Sequence, residues 1–317
     1  MKKFFKNALL CGGLLATITA CNTESSIAPL EVSVLAQSTS SRAGLVDEQV
    51  LPIGSSIGVT LVDNLADATS YNESVYSNLE YTSTNGLDWN VVGTDVPMLT
   101  STAGKAIAYY PWKDGADYKA LAVDILTQYD YMYSEWYSGS GNKNLDNSNP
   151  EAKFQMKHVQ SAFRINLLKD DSYPLEARVT RIVLTSGSFH TNGIYSAEDG
   201  TYSSRTGEGT YTYNFTGEYP VLTTTEQYVD IMVVPATTVP AGNKVNFTVT
   251  IQDVNGTKDY VVAPSFETVM EQGTIYEFTL TLWPTEMKAG DVSVKTWDII
   301  TNNDENKLVP ADLNSGN

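Results

Sequence analysis

Apolar and polar positions alternate with a period of two through most of this chain. Val245, Phe247, Val249 and Ile251 alternate with Asn246, Thr248 and Thr250, the mark of a strand with one buried face. Tyr276, Phe278, Leu280 and Leu282 alternate in the same way with Glu277, Thr279 and Thr281. Further strands are predicted over residues 57–62, 105–110, 163–168, 179–184, 211–215, 229–234, 260–262 and 292–297. Asn85-Gly86, Asp199-Gly200 and Asn255-Gly256 supply turns, and the last should close a tight hairpin. Helical periodicity is weak, with one short helix expected near residues 118–126. Many short strands separated by turn signals predict an all-β chain built of sandwiches rather than a parallel α/β sheet.

Two polar breaks compete as a domain boundary. One is the Gly/Ser/Asn tract from Ser138 to Pro150; the other is Asp170-Asp171-Ser172-Tyr173-Pro174. The second cuts the chain beyond residue 43 into nearly equal halves, so sandwiches are expected over 43–172 and 173–317. The last residues, from Thr301 onward, read as a loose polar tail. No internal repeat at a fixed period is visible.

The pattern departs from this scheme at the N-terminus. Lys2, Lys3 and Lys6 lead into an apolar run from Ala8 to Ala16, and Ile18-Thr19-Ala20-Cys21 follows. A basic start, a short apolar core and small residues before a cleavage point predict a secretory signal over residues 1–20. The cysteine directly after the small residue marks a bacterial lipoprotein box, with Cys21 as the acylated mature N-terminus. Two acyl chains would hold it stably to a bilayer. The only other cysteine, Cys11, leaves with the signal, so neither a disulfide nor a thiol nucleophile is expected. Loss of the three leader lysines takes the formal net charge from −17 to −20. That balance disfavours nucleic acid and anionic lipid headgroups as partners.

Between Cys21 and Arg42 lies a segment too regular for a spacer. Leu30, Val32, Val34 and Ala36 alternate with Glu31, Ser33 and Leu35, predicting a strand over residues 29–37 with one apolar face. Ser40-Ser41-Arg42-Ala43-Gly44 then offers a protease site in a small, flexible context, with cleavage between Arg42 and Ala43. A cut there would free the strand from its covalent tether. The plainer reading makes residues 21–42 a lipidated tether alone. Arg205 stands in an equally flexible context, so the sequence by itself does not make Arg42 unique.

An ordered set of short motifs carries a family resemblance. Pro52-Ile53-Gly54, Ile57-Gly58-Val59, Tyr109-Tyr110-Pro111-Trp112 and Tyr131-Met132-Tyr133 come first. Met156 to Ala162, Gly273-Thr274-Ile275-Tyr276 and Val292 to Trp297 follow. With the lipobox and Arg42, the chain resembles the fimbrillin-like (FimA/Mfa-like) subunits of Bacteroidetes type V pili. The resemblance implies two tandem β-sandwich domains of transthyretin-like topology. It also implies export as an outer-membrane lipoprotein, cleavage after an arginine, and assembly with other pilus subunits by donor-strand exchange into a cell-surface fimbrium. Stalk subunits of the family donate C-terminal strands. Here Leu308, Val309 and Leu313 are sparse for that purpose, which leaves a tip or accessory position open.

Catalytic chemistry finds little support. His158 and His190 are the only histidines, and neither has a ligand partner at helical spacing, so no metal site and no cofactor are expected. No nucleophile-elbow sequence accompanies them. The chain is therefore not expected to be an enzyme. One aromatic run offers an alternative function. Tyr129, Tyr131 and Tyr133 would share a strand face, with Trp136 and Tyr137 just beyond. Exposed, they would form a platform for sugar rings on a surface glycan-binding lipoprotein; buried, they are core.

Overall fold

The structure is a computed structural model and describes residues 26–36, 51–64, 70–71, 73–86, 88–297 and 307–308. Strands dominate it. In the first half they are β1 (Glu31–Ala36), β2 (Ser56–Asp63), β3 (Leu79–Ser83), β4 (Trp89–Val91), β5 (Gly104–Tyr110), β6 (Leu121–Asp124), β7 (Met132–Tyr133) and β8 (Glu151–His158). After the midpoint come β9 (Ser161–Lys169), β10 (Arg178–Thr185), β11 (Phe189–His190), β12 (Asn192–Tyr195), β13 (Tyr202–Thr206) and β14 (Thr210–Asn214). The last six are β15 (Gln227–Pro235), β16 (Asn246–Asp253), β17 (Gly256–Val262), β18 (Thr274–Leu282), β19 (Met287–Ala289) and β20 (Ser293–Thr296). The helix α1 is four residues long, Glu73–Tyr76. Where a short helix was expected near 118–126, the chain forms β6 and a single 3-10 turn, Ile125–Thr127. Val123 and Leu121 alternate inward there and pair with β12, so sheet burial overrides local helix propensity.

Seven strands of the first half close into a ring, in the order β8-β1-β4-β3-β2-β5-β7. Its interior is filled by Ile57, Val59, Leu61, Tyr81, Ala106, Ala108, Phe154 and Met156, all nearly inaccessible. Gly58 sits opposite Tyr109, whose ring lies where a side chain would stand: a Cβ on Gly58 would be 2.1 Å from Tyr109 Cε1. The tyrosine thus covers the glycine and packs the wall.

The second half is a sandwich. One sheet runs β11-β15-β9-β18-β19, with β20 also on β18; the facing sheet runs β14-β10-β16-β17. Phe163 lies at the centre of the space between them, in ring contact with Phe189, Phe266 and Phe278 at 5.7–6.0 Å. The β16–β17 hairpin closes between Asp253 and Gly256, with Gly256 at φ +115°. A third sheet, β13-β12-β6, joins a first-half strand to two from the second.

The division between halves falls earlier than the Asp170–Pro174 break suggests. Strand β9, which a boundary at 172 assigns to the first half, is antiparallel to β15 and parallel to β18. The chain therefore changes sheets between His158 and Ser161. The Asp170 cluster is a turn inside the second sandwich: Asp170 accepts from Ser172 and its N–H donates to Leu282. Polar turn residues mark any strand connection, and they carry no signal of domain rank. The C-terminal end is also more engaged than its composition suggests. Lys307 bridges to Tyr228 in parallel fashion, and Leu308 is buried, donating its N–H to the Tyr228 carbonyl. The buried carboxylate of Asp230 draws it there, receiving two bonds from Arg164 at 2.8 and 3.0 Å, with Lys307 Nζ at 3.7 Å.

A second carboxylate on the same sheet gives a pH-dependent stability. Burial pushes Glu277 up, but bonds from Lys295 (2.5 Å), Asn166 (3.0 Å) and Ser293 (2.7 Å) together bring it from 4.5 to about 2. A group with a depressed folded-state pKa stabilises fully above its unfolded value and loses that contribution as pH falls through the folded one. Glu277→Gln is expected to lower the urea midpoint near neutrality, with the gap closing between about pH 4.5 and pH 2.

Candidate functional site

The strand predicted over residues 29–37 is a stave of the ring. Leu30, Val32 and Val34 are 4%, 7% and 3% exposed and face the barrel interior, while Glu31 and Leu35 face out. Its two neighbours hold it unequally. Along β8 the pairing is parallel and continuous, from Glu31↔Glu151 to Ala36↔Met156. Along β4 it is a single antiparallel pair, Val32↔Trp89. The N-terminal end is tied separately. Leu30 N–H donates to Pro97 O at 2.8 Å and Glu31 N–H to Pro150 O at 3.0 Å. Ala28–Pro29 pairs with Met98–Leu99, and the Asn147 amide donates to the Ser26 carbonyl and, at 2.8 Å, to its hydroxyl.

Each buried aliphatic side chain of the strand contributes roughly 1.5–3 kcal/mol. The segment is thus held by packing and main-chain bonds irrespective of its covalent link to residue 51. Take it away, and the ring opens between β8 and β4. Two strand edges with unpaired N–H and C=O groups would then flank a trough floored by Ile57, Tyr81, Phe154 and Met156. The ring also holds an unusual set of polar atoms. Trp89 Nε1, Tyr81 Oη and Tyr137 Oη are buried with no hydrogen-bond partner among the described residues. Burial pushes the Tyr81 phenol well above the ordinary tyrosine range.

Cys21, Arg42 and Ala43 lie outside the described residues, as does the side chain of Ala36. The structure does speak to the other arginines. Arg164, Arg178, Arg181 and Arg205 all stand within strands. Arg205 is paired with Gly193 and stacks its guanidinium 4.7 Å over the Tyr202 ring, with Nε buried. Its flexible-looking Ser/Gly surroundings conceal a sheet position.

The aromatic run does not form one surface. Tyr129 is 56% exposed, Tyr131 is half-buried edge-on to it at 6.5 Å, and Tyr133 is buried. Only Met132 and Tyr133 form strand, so the shared face expected over 129–133 does not exist. Trp136 is half-buried, edge-on to Tyr118 at 5.7 Å beneath Lys105 Nζ. Tyr137 bonds through its backbone to Ala106 and packs against the ring's core. The two therefore belong to different cores rather than to a sugar platform.

Both histidines have partners among the described residues. His158 Nδ1 lies 2.7 Å from Asp130 Oδ1, and its ring stacks on Trp297 at 4.5 Å with 12° between planes. His190 is exposed on one side and meets the Gly207 carbonyl at 3.2 Å. Among the described residues no group of three His, Cys, Asp or Glu side chains could hold a metal, and no helix is long and apolar enough to cross a membrane. What the sequence reading lacked was the partner strand β8. Its signal was present: Ala152, Phe154, Met156 and His158 alternate inward against Glu151, Lys153, Gln155 and Lys157.

The model of a family described as fimbrillin-like matches residues 45–297, a span that begins after β1. No curated protein matches the sequence. Two solved structures share the fold at low identity. One is a candidate cell adhesion protein from Bacteroides uniformis, with TM-score 0.59 and 17% identity over 87% of this chain and 99% of that one. The other is a candidate cell adhesion protein from Bacteroides ovatus, with TM-score 0.63 and 15% identity over 86% and 99%.

Two outcomes are expected from the ring geometry. Val32→Asp combined with Val34→Asp places charges in the apolar ring interior, at the positions paired with Ala152 and Phe154, and should lower stability by about 3 kcal/mol or more in chemical denaturation. An arginine-specific protease at low dose should leave the bond after Arg205 intact in the folded chain, as N-terminal sequencing of fragments would reveal.

Proposed function

This chain belongs to the fimbrillin-like family, and from that premise we propose that it is a structural and adhesive pilus subunit. In this reading it is exported as a lipoprotein acylated at Cys21, is cut between Arg42 and Ala43, and assembles with other subunits by strand exchange. The observation that carries the proposal is the placement of β1. It closes the ring through contacts alone, with three inward side chains, and it precedes the proposed cut. A cut after Arg42 turns an intramolecular strand into a bound peptide, and an extended segment of another subunit then competes for the same trough by β-strand addition. Trough and entering segment are different surfaces, so the contact is head-to-tail and propagates as a fibre.

The distribution of arginines supports the choice of site. A protease needs an extended, accessible segment, and the four arginines other than Arg42 are held in sheets. The family model begins two residues beyond Ala43, which agrees with a mature subunit that dispenses with β1. The role as a surface subunit needs no reaction chemistry. His158 and Trp297 act in it as packing at the junction of barrel and sandwich.

Limited digestion with an arginine-specific protease, followed by sizing, tests the reading. The expected outcome is a fragment beginning at Ala43 that remains associated with β1 until higher-order species form. A digest that stays monomeric after full cleavage at Arg42 would overturn the assembly step. Cys21→Ser should abolish acylation and remove the precursor from membrane fractions; retention of that variant would overturn the anchor.

A further inference from the structure

The resident strand β1 leaves the ring chemically incomplete. Val32 is directly opposite Trp89, and residues directly opposite across a pair project to the same side of the sheet. Both are buried. Trp89 Nε1, a donor with no acceptor capacity, has no partner among the described residues, and Tyr81 Oη, on the adjoining strand β3, has none among them either. The inward side chains of β1 and of the residue before it are Val32, Val34 and Leu30, which are hydrocarbon and can accept nothing. Buried side-chain donors in native proteins are nearly always satisfied, so an orphan indole N–H and an orphan phenol on neighbouring strands of one ring call for a reason.

On the strand-exchange reading above, we propose that the segment taking the place of β1 carries a hydrogen-bond acceptor at the inward position now held by Val32. That side chain would be Ser, Thr, Asn or Gln, between apolar inward residues at the positions of Leu30 and Val34. The partner is thus an extended segment of a second subunit with an apolar–polar–apolar inward pattern, not an all-aliphatic copy of β1. A desolvated donor left unpaired weakens an interaction by roughly five- to a hundredfold, so satisfying Trp89 makes the exchange favourable where main-chain bonds alone would be isoenergetic. The pairing asymmetry places this recognition at the weaker of the two seams. Among the described residues β1 meets β4 at the Trp89 pair alone but meets β8 along six, so a competing strand displaces fewer main-chain bonds on the β4 side.

The chemistry can be tested in the full chain, without exchange. Buried Val→Thr normally lowers a melting temperature, here by about 3 °C or more, because a hydroxyl is desolvated without a partner. Val34→Thr should do so. Val32→Thr should melt within about 1 °C of wild type, and in a Trp89→Phe background it should lose as much as Val34→Thr. Equal losses at the two positions, or a Val32→Thr effect indifferent to Trp89, would overturn the inference. A second arm uses the chain cut after Arg42 and labelled nine-residue peptides of residues 29–37, with Val or Thr at the position of Val32. At least fivefold tighter uptake of the Thr peptide is expected. Equal uptake of both would overturn this inference alone, while uptake of neither would overturn the strand-exchange reading on which it rests.

Discussion

The parallel ladder between β1 and β8 is the contact on which the first half of the molecule depends. Five other strands, β2 to β5 and β7, complete the ring, yet none of them joins its two ends. β1 enters the barrel first in sequence and its ladder partner last, so the ring cannot close until the whole intervening chain has been laid down. Loop-closure entropy makes such a pairing slow and non-local. The same arrangement leaves β1 at the edge of the covalent structure. It is the one stave whose connection to its ladder partner runs through every other part of the barrel.

The barrel is not an independent body set beside the sandwich. Ile107, Tyr109 and Tyr133 come from ring strands, yet their side chains join the core that fills the second half. Strand β6 leaves the first half to pair with β12. Tyr195, fully buried, donates to the Met132 carbonyl across the same boundary. The His158–Trp297 stack closes the other side, where the chain passes from β8 to β9 and where β20 ends. Opening the ring between β8 and β4 therefore leaves its frame braced on the far side, with the trough held in shape by the sandwich.

Most of the sheet positions were legible from alternation. The predicted strands at 57–62, 105–110, 179–184 and 229–234 each lie inside an observed one. The inward face of β1 was also readable, since Leu30, Val32 and Val34 repeat at period two. Pairing was not. Nothing in a linear pattern indicates that residue 31 lies beside residue 151, or that β9 belongs with β15 and β18 rather than with the barrel. Composition misled in two places. Ser and Gly around Arg205 resemble a loop, but the segment is a strand paired with β12, where Gly193 leaves room for the Tyr202 ring. Tyr129, Tyr131 and Tyr133 read as one strand face because a two-residue strand cannot be told from a longer one by period alone. The orphan donors of the barrel were invisible in principle, because satisfaction is a property of three-dimensional neighbours.

The geometry of the β1–β8 ladder has a mechanical side. Its bonds are arrayed along a common axis over six residue pairs. Tension applied along the strands loads all of them together, in shear, so that rupture requires them to fail at once. Tension applied across one end loads them in succession and unzips the ladder a bond at a time. A strand seated in this trough would therefore resist a pull directed along its own length far better than a sideways tug. Any filament joined through such a seat would be tough along its axis while each link remained easy to exchange from one end.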